Sequence, residues 1–430
     1  MYCNLTYMSI VYIYYVGKLE TPNFSLNKHK TMTIISDLSW DLVEEILSRV
    51  PIISLGAVRS TCKRWNRLSK NRLLCKAEAR RHQFLRFMVK NYKLCSMRFD
   101  LHGILDGEEF VDPSIKEITV VDSLNHVKVT QVFHCDGLSL CVTKDKEENK
   151  TSLLVWNPYL GQTRWIQARN DYNRLDLYAL GYDSNNRKHK ILRFLDTGSS
   201  YKVTLYEIYD ISSDSWRVLN ITQDWDIMFY HRGVSLKGNT YFFAKKKILL
   251  VDGPVEIAEP HAILLCFDFT KERFGPPLPL PVEHYVDDTG TLSSLRDEKL
   301  AVLYQPTSMS DVQIWVTTKI EPSAVSWVPF LKIDVEPFTG FGFQFHHDGA
   351  SFFIDEEKKV ALVFQIDESE MTCYDTAYLI GENGYFEKVG LGEAEKPQWS
   401  ANNVGEYCPL VCSCSFVPSL VHINNESAGS

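Results

Sequence analysis

The sequence predicts an α plus all-β protein, in which three short N-terminal helices precede a β-propeller-like domain of about six four-stranded blades. Helical apolar spacing is confined to the first hundred residues or so, and short strand-like runs separated by turn residues follow it. These runs recur in units whose starts lie roughly 50 to 60 residues apart. At 430 residues and 45% hydrophobic content, the chain can bury a large core and is long enough for two domains.

Residues 36–73 predict the three helices. The first has apolar residues at helical spacing and ends at Pro51, which cannot continue a helix. The second helix carries Leu55 and Val58, and the third carries Cys62, Trp65 and Leu68 or Leu73. Three helices in under forty residues cannot bury this apolar side among themselves, so we expect the segment to dock on another polypeptide. An ordinary helical hairpin inside a larger core is the alternative.

Charge is distributed unevenly along the chain. Between Arg59 and Lys93 there are twelve Lys or Arg residues and one acidic residue, Glu78, although the whole chain has a net charge of −8. An acidic body following a basic stretch argues against nucleic-acid binding by the body. Three explanations for the basic stretch remain, in order of preference: it binds an acidic protein partner, it forms a solvated helix face, or it binds nucleic acid.

The repeating units predict the blades. Residues 132–166, 178–219, 233–281, 291–333 and 350–392 each contain about four strand-like runs, which is what one propeller blade requires. Strand-like runs remain at both ends of this array, and a sixth blade assembled from them would close the ring and remove exposed edges. An irregular β-sandwich array is the alternative. Residues 76–96 predict a linker helix, with Phe84, Phe87 and Met88 on one side.

Catalytic motifs are absent from the sequence. It has no G-x-S-x-G elbow, no phosphate-binding loop and no H-E-x-x-H pair, and we therefore expect no enzyme activity, cofactor or metal. His346 and His347 are adjacent, which on a strand would direct them to opposite faces. The eleven cysteines show no paired metal spacing, and scattered reduced thiols favour a nuclear or cytoplasmic protein.

Connections between blades emerge on one face of a propeller, so they bring together side chains that are distant in sequence. Aromatic and histidine side chains there suit recognition of a protein segment, although they could instead only pack within their loops. The candidate target-binding residues are Trp225, Tyr230, His231, His284 and Tyr285.

The helical segment resembles the F-box. The shared pattern comprises Leu38, Asp41-Leu42, the run from Glu45 to Pro51 (EILSRVP) and Cys62-Lys63-Arg64-Trp65. The family usually has proline after the first leucine, where this chain has Ser39, itself a competent helix N-cap. The resemblance implies that the segment binds a Skp-type adaptor. The residues expected at that surface are Leu38, Leu42, Ile46, Leu47, Pro51, Leu55, Val58, Cys62 and Trp65.

The later region resembles the F-box-associated domain of a large plant family, with a kelch-like propeller. The resemblance rests on short motifs: Cys135-Asp136-Gly137-Leu138, Val155-Trp156-Asn157-Pro158, Gly161-Gln162-Thr163-Arg164-Trp165, Ala179-Leu180-Gly181-Tyr182-Asp183, Ser215-Trp216-Arg217 and Leu236-Lys237-Gly238-Asn239. Turn chemistry explains Asn157-Pro158 and Leu236 to Asn239. Trp165 and Trp216 are expected to fill gaps between neighbouring sheets.

Together the two resemblances imply a non-catalytic substrate receptor of a Skp–cullin–F-box (SCF) ubiquitin ligase. Its implied partners are the Skp-type adaptor, through it the cullin and RING subunits, and an unknown target protein, with no nucleic acid and no membrane. Two alternatives remain: a propeller that acts as a small-ligand or copper-enzyme domain with accessory helices, and an F-box protein that binds the adaptor without assembling a ligase.

The expected domain organisation follows from these assignments. We expect a weakly ordered extension over 1–31, the F-box over 32–75, the linker helix over 76–96, the propeller over 97–424 and a tail over 425–430. The apolar run in the extension, 8–17, is too short to span a bilayer, and Met32 is a natural starting point.

Overall fold

The computed structural model describes residues 63, 85–100, 111–118, 120, 124, 126–145, 150–171, 176–195, 205–222, 225–227, 232–246, 261–285, 288–295, 298–307, 309–346, 351–368, 372–395, 398–399, 405–406, 411–412 and 419–423. These residues form antiparallel sheets. The three predicted helices lie outside the described residues apart from Lys63, which is helical and exposed. Within the described residues, no helix is long and apolar enough to span a bilayer.

The strands follow one another in groups, each of which forms one blade. Blade 1 begins with β1 (Leu85–Lys90), β2 (Lys93–Asp100) and β3 (Val111–Glu117). Blade 2 comprises β4 (Val127–Cys135), β5 (Leu138–Asp145), β6 (Lys150–Asn157) and β7 (Gln162–Asp171). Blade 3 comprises β8 (Asp176–Tyr182), β9 (His189–Leu195), β10 (Tyr206–Asp210) and β11 (Ser215–Leu219).

Blade 4 comprises β12 (Trp225–Asp226), β13 (Val234–Leu236), β14 (Asn239–Lys246), β15 (Ala262–Asp268) and β16 (Arg273–Phe274). Blade 5 comprises β17 (Thr289–Leu295), β18 (Lys299–Gln305), β19 (Asp311–Glu321) and β20 (Ala324–Asp334), and a single helical turn, α1 (Glu336–Thr339), follows it. Blade 6 comprises β21 (Ser351–Asp355), β22 (Val360–Glu368), β23 (Cys373–Gly381) and β24 (Phe386–Ala394). A small pair, β25 (Gln398–Trp399) and β26 (Gly405–Glu406), precedes β27 (Val411–Cys412).

The ring closes between the two ends of the chain. β27 pairs antiparallel with β1, so that blade 1 has the strand order β27-β1-β2-β3. The innermost strands of successive blades touch in turn, and β27 contacts both β21 and β4. This confirms the prediction of a blade built from both ends, with five complete blades between them. Closure by hydrogen bonding leaves the first strand of the domain without an open inner edge.

Apolar side chains fill the gaps between neighbouring blades. Each of the six gaps contains a separate hydrophobic cluster among the described residues, such as Phe87 with Trp156 between blades 1 and 2. Their ring centroids lie 5.0 Å apart in an edge-on arrangement. Both faces of most sheets are therefore covered, which explains why strands such as β8 and β18 are almost continuously buried instead of alternating.

Tight turns and close blade contacts explain two of the sequence motifs. Lys237 and Gly238 have φ of 51° and 84°, the left-handed conformation that a two-residue hairpin turn requires. The carbonyl of Gly238 accepts a hydrogen bond from the Tyr182 amide at 3.0 Å, which joins blades 3 and 4. At Gly181 a Cβ atom would lie 2.5 Å from the same carbonyl oxygen, so only glycine fits there.

The expected linker helix over 76–96 is wrong in its described part, because residues 85–90 and 93–96 belong to β1 and β2. The propeller therefore begins at residue 85 and not at 97. Phe87, Met88 and Val89 are all fully buried, since β1 is covered on both faces, and such an apolar run does not distinguish a strand from a buried helix. Asn91 and Tyr92 close the hairpin at φ of 50° and 58° without a glycine to indicate it.

Candidate functional site

The connections from one blade to the next provide the candidate recognition surface. Because the four strands of a blade run antiparallel, the connection that leaves its last strand starts at the same end as the hairpin between its second and third strands. Around blade 5 there are three such segments, whose described residues are 282–285 and 288 before β17, 306–307 and 309–310 between β18 and β19, and 335–346 after β20. We call these three segments the blade-5 connections.

A buried carboxylate joins the first two blade-5 connections. Asp288 is 5% exposed, and its Oδ2 accepts hydrogen bonds from the Tyr285 amide and the Tyr304 hydroxyl, both at 2.9 Å. Its Oδ1 accepts a hydrogen bond from the Thr307 amide at 3.0 Å. Burial raises the pKa of the Tyr304 phenol, which therefore stays protonated and remains a donor. The Thr307 hydroxyl also donates to Oδ1, at 3.4 Å, so one aspartate accepts from four donors and holds the two segments together.

Glutamine side chains join the second and third connections. Gln305 is fully buried; its Nε2 donates to the Phe343 carbonyl and its Oε1 accepts from the Phe345 amide, each at 2.9 Å. Gln344 donates to the Thr307 hydroxyl at 3.3 Å. Phe345 is buried in the cluster between blades 5 and 6. The three segments are therefore joined to one another mainly through the buried side chains of Asp288 and Gln305, with one exposed hydrogen bond from Gln344.

His284 does not contact solvent. The side chain is 3% exposed, and its ring centroid lies 5.3 Å from that of Phe243 and 5.5 Å from that of Tyr304. Its ring covers Gly290, where a Cβ atom would lie 2.0 Å from Nε2. Burial lowers the pKa of His284. The expectation that His284 binds the target is therefore wrong, because a buried ring packs its loop and cannot touch a partner.

The other predicted target-binding residues have different environments. Tyr285 is 38% exposed beside His284, and its ring lies 5.3 Å from that of His261. Trp225 is half-buried, pairs with Lys246 through β12 and β14, and packs against the cluster between blades 3 and 4. Tyr230 and His231 lie outside the described residues. The structure thus leaves Tyr285 accessible and Trp225 partly so.

Two exposed apolar residues on the other blade-5 connections are missing from the sequence-based candidates. Met309 is 60% exposed and Phe341 is 94% exposed. Neither residue belongs to a sequence motif. The run Gly340-Phe341-Gly342 places an aromatic residue between two glycines, and this pattern is a signal that could have identified Phe341. Phe338 is 47% exposed and stacks on Phe386 at 4.8 Å, so it contributes to packing.

Ionisable groups elsewhere in the described residues form structural pairs. Arg193, 4% exposed, donates to the Asp176 carboxylate at 2.8 Å and to Glu207 at 2.7 Å. Burial raises the pKa of Asp176, and the charge of Arg193 opposes that rise. In the described part of the chain, no three His, Cys, Asp or Glu side chains lie close enough together to hold a metal ion.

The described cysteines of the strands are buried among apolar side chains. Cys135, Cys141 and Cys266 are at most 2% exposed, and burial raises the pKa of Cys141 to about 12. A protonated buried thiol behaves as a small apolar side chain. These three thiols are therefore packing groups of the core.

The predicted adaptor-binding residues, from Leu38 to Trp65, lie outside the described residues. Sequence comparison covers this part of the chain. A family model described as the F-box domain matches residues 35–76, and one described as the F-box associated beta propeller domain matches residues 85–423. The two matches follow one another along the chain in the order predicted from its motifs.

Curated relatives match nearly the whole chain. An Arabidopsis thaliana protein named "Putative F-box protein At3g20030" is 60% identical over 404 residues, which covers 91% of this chain and 97% of the relative. "F-box/kelch-repeat protein At3g13680" from the same organism is 51% identical over 407 residues, covering 93% and 98%. Solved structures are more distant. TolB from Acinetobacter baumannii matches with a TM-score of 0.39 at 12% identity, covering 75% of this chain and 70% of TolB. A TM-score of this size is too low to bear on the fold. The closed six-bladed ring, the two family matches and these relatives together show that the chain belongs to the F-box proteins with an F-box-associated β-propeller domain.

Proposed function

We propose that this protein is the substrate-recognition subunit of a Skp–cullin–F-box ubiquitin ligase. One observation carries the proposal: a single chain joins an F-box, matched over residues 35–76, to a closed propeller whose connections present accessible side chains. F-box proteins with a propeller serve in general as substrate adaptors of such ligases. The F-box binds the Skp-type adaptor, and through it the cullin and RING subunits are recruited.

The receptor carries out no bond chemistry itself. Its role is to raise the effective concentration of a target protein near the conjugating enzyme, and a tethered target reacts at a concentration set by geometry instead of by its abundance. The buried ion pairs and protonated thiols of the propeller suit this role, because they stabilise a rigid scaffold for the connections.

The adaptor surface is proposed to use the apolar positions of the three helices. These are Leu38, Leu42, Ile46, Leu47, Pro51, Leu55, Val58, Cys62 and Trp65. Some of them hold the helices together and others face the adaptor. Both roles remove apolar area from water, which drives association and folding alike. On the target side, we propose Tyr285 and Trp225 together with Tyr230 and His231.

Trp65→Ala tests the adaptor assignment. Loss of a buried tryptophan side chain costs roughly 3–5 kcal/mol, so this variant should not co-purify with a co-expressed Skp-type adaptor. Lys63→Ala is the matched control, because Lys63 is exposed two residues away and its loss removes no apolar contact. Far-UV circular dichroism should show the same strand content for both variants. Retention of the adaptor by Trp65→Ala would contradict the assignment.

Ligase assembly requires a second measurement. An F-box protein can bind the adaptor and still not join the cullin scaffold. Pull-down of the purified adaptor complex with the cullin should therefore recover all three proteins. Recovery of the adaptor pair without the cullin would contradict the proposed ligase role while leaving the F-box assignment intact.

A further inference from the structure

Phe341 is displayed to solvent by the backbone on either side of it. Gly340 has φ of 90° and Gly342 has φ of 79°, and no atom lies within 4 Å of a Cβ built at either position. Both conformations favour glycine. The side chain between them is 94% exposed, the highest exposure of any large apolar residue among those described. Aromatic side chains are enriched in the cores of protein interfaces, so an aromatic ring exposed to this degree suits contact with a partner.

Two further exposed apolar side chains lie on the neighbouring blade-5 connections. Met309 lies on segment 306–310, which the Gln344–Thr307 hydrogen bond joins to the segment of Phe341. Tyr285 lies on segment 282–288, which the hydrogen bond from the Thr307 amide to Asp288 joins to segment 306–310. Phe341, Met309 and Tyr285 therefore lie on one platform whose internal hydrogen bonds are made by Asp288 and Gln305, both buried. A platform held in this way loses little conformational entropy when a partner binds.

The charge of the platform has one sign. The described residues of the blade-5 connections, together with Asp334 at the end of β20, include four acidic residues (Glu283, Asp288, Asp334 and Glu336) and no lysine or arginine. Glu283, Asp334 and Glu336 among them are exposed. The Ser310 hydroxyl and the Glu336 amide donate hydrogen bonds to Asp334 and hold the pKa of its carboxyl below the usual range. Lys332, on the adjoining strand β20, is engaged by Asp311 at 2.8 Å.

We propose that the blade-5 connections form the docking surface for a lysine- or arginine-rich segment of the target protein that carries one or two apolar anchors. The apolar anchors pack against Phe341, Met309 and Tyr285, while the basic side chains face Glu283, Asp334 and Glu336. This inference rests on the proposed function, since it names the chemical class of the captured segment. Charge complementarity of this kind accelerates encounter and excludes acidic competitors.

Selection from a random dodecapeptide display library tests the proposal. The full chain bound to its Skp-type adaptor serves as the bait, and selected peptides are then assayed one by one by fluorescence polarisation. We expect the recovered peptides to carry net positive charge and at least one Leu, Met or aromatic residue. Their affinity should fall with added salt, because exposed charges are screened.

Three variants identify the surface. Phe341→Ser should weaken the selected peptides by roughly thirtyfold or more, as for an interface hot spot, and Glu336→Lys should weaken basic peptides while sparing neutral ones. Val328→Ser is the matched control, because Val328 is 42% exposed but lies on the outer strand β20 of the same blade. Its affinities should equal those of the wild type.

Several outcomes would overturn the inference. Selected peptides that are acidic, or that bind Phe341→Ser as tightly as the wild type, place recognition elsewhere. Light scattering that shows a dimer in the wild type and a monomer in Phe341→Ser assigns the surface to a second copy of the chain. Adaptor co-purification distinguishes the two levels: if it persists while the peptide prediction fails, only this inference falls, and if it is lost in the wild type, the proposed function falls too.

Discussion

Tyr304 donates its hydroxyl hydrogen bond to Oδ2 of Asp288 at 2.9 Å, and this contact joins the end of β18 to the segment that enters β17. Both residues are at most 6% exposed. The same carboxylate oxygen also accepts a hydrogen bond from the amide of the accessible Tyr285, so the contact connects β18 to the segment that carries Tyr285. The buried Tyr304–Asp288 pair therefore stabilises the proposed docking surface without itself contacting the partner.

Tyr304→Phe should destabilise the propeller by roughly 1.5–3 kcal/mol, the usual value for a hydrogen bond to a charged group. The phenyl ring keeps the packing against His284, and Asp288 loses one of its four donors. Tyr285→Phe is the control: its hydroxyl lies 3.4 Å from Glu283 at an exposed position, so the expected change is near zero. Urea denaturation of the two variants measures the difference, and equal midpoints would contradict the role of Asp288.

Arg193→Met should cost roughly 3–5 kcal/mol, since it leaves Asp176 and Glu207 buried without their shared cation. Arg169 also pairs with Glu207, at 2.9 Å, but its side chain is 46% exposed. Arg169→Met should therefore cost about 1 kcal/mol or less. A ranking with Arg169 as the more important residue, measured by denaturation, would show that exposure does not decide the strength of these pairs.

Asn157→Asp should release the C-terminal segment from blade 2. The Asn157 amide nitrogen donates to the carbonyls of Ser419 and Val421 at 3.1 and 2.7 Å, while its Oδ1 accepts from the Leu160 amide at 3.0 Å. Aspartate keeps the acceptor of the turn, but it presents a carboxylate to the two carbonyls and donates to neither. Hydrogen–deuterium exchange over 419–423 should accelerate markedly. The hairpin amide of Leu160 serves as the internal control and should remain protected.

His189 should make the propeller less stable in acid. Burial, and then the charge of Arg187, lower the pKa of His189 from 6.5 to about 4, although the Asp136 carboxylate lies 3.6 Å away. Below about pH 6.5 His189 binds a proton in the unfolded chain but stays neutral in the folded chain. The free energy of unfolding therefore falls between about pH 6.5 and 4, by at most roughly 3 kcal/mol. His189→Phe should lose less stability across this window, and parallel stability curves would contradict the assignment.

Sequence periodicity predicts most of the propeller because each blade carries its own turn signals. Asp136-Gly137 and Lys237-Gly238 both have positive φ and both occur at hairpins that the motifs indicate. The Asn91-Tyr92 hairpin has the same conformation without glycine, so no turn signal separates β1 from β2, and the apolar spacing of Phe84, Phe87 and Met88 alone predicts a helix there. The local sequence pattern does not identify a strand that is buried on both faces, because such a strand lacks the alternation of apolar and polar residues.

Exposure is less predictable than strand position. Trp216 packs between blades as expected and donates from Nε1 to the Gln167 carbonyl at 3.1 Å, but Trp165 is 39% exposed on the outermost strand of blade 2. Its neighbour Ile166 is the buried residue, and a shift of one position along a strand reverses the face. His284 and Phe341 show the same limit, because burial in a connection depends on residues of other blades.

The mass of the assembly in solution tests the central claim most directly. The full chain, co-purified with a Skp-type adaptor and mixed with the cullin scaffold, is analysed by size-exclusion chromatography with light scattering. The account predicts one species with the summed mass of the three proteins, and its loss in Trp65→Ala. A full chain that is folded and elutes alone in the presence of both partners would contradict it.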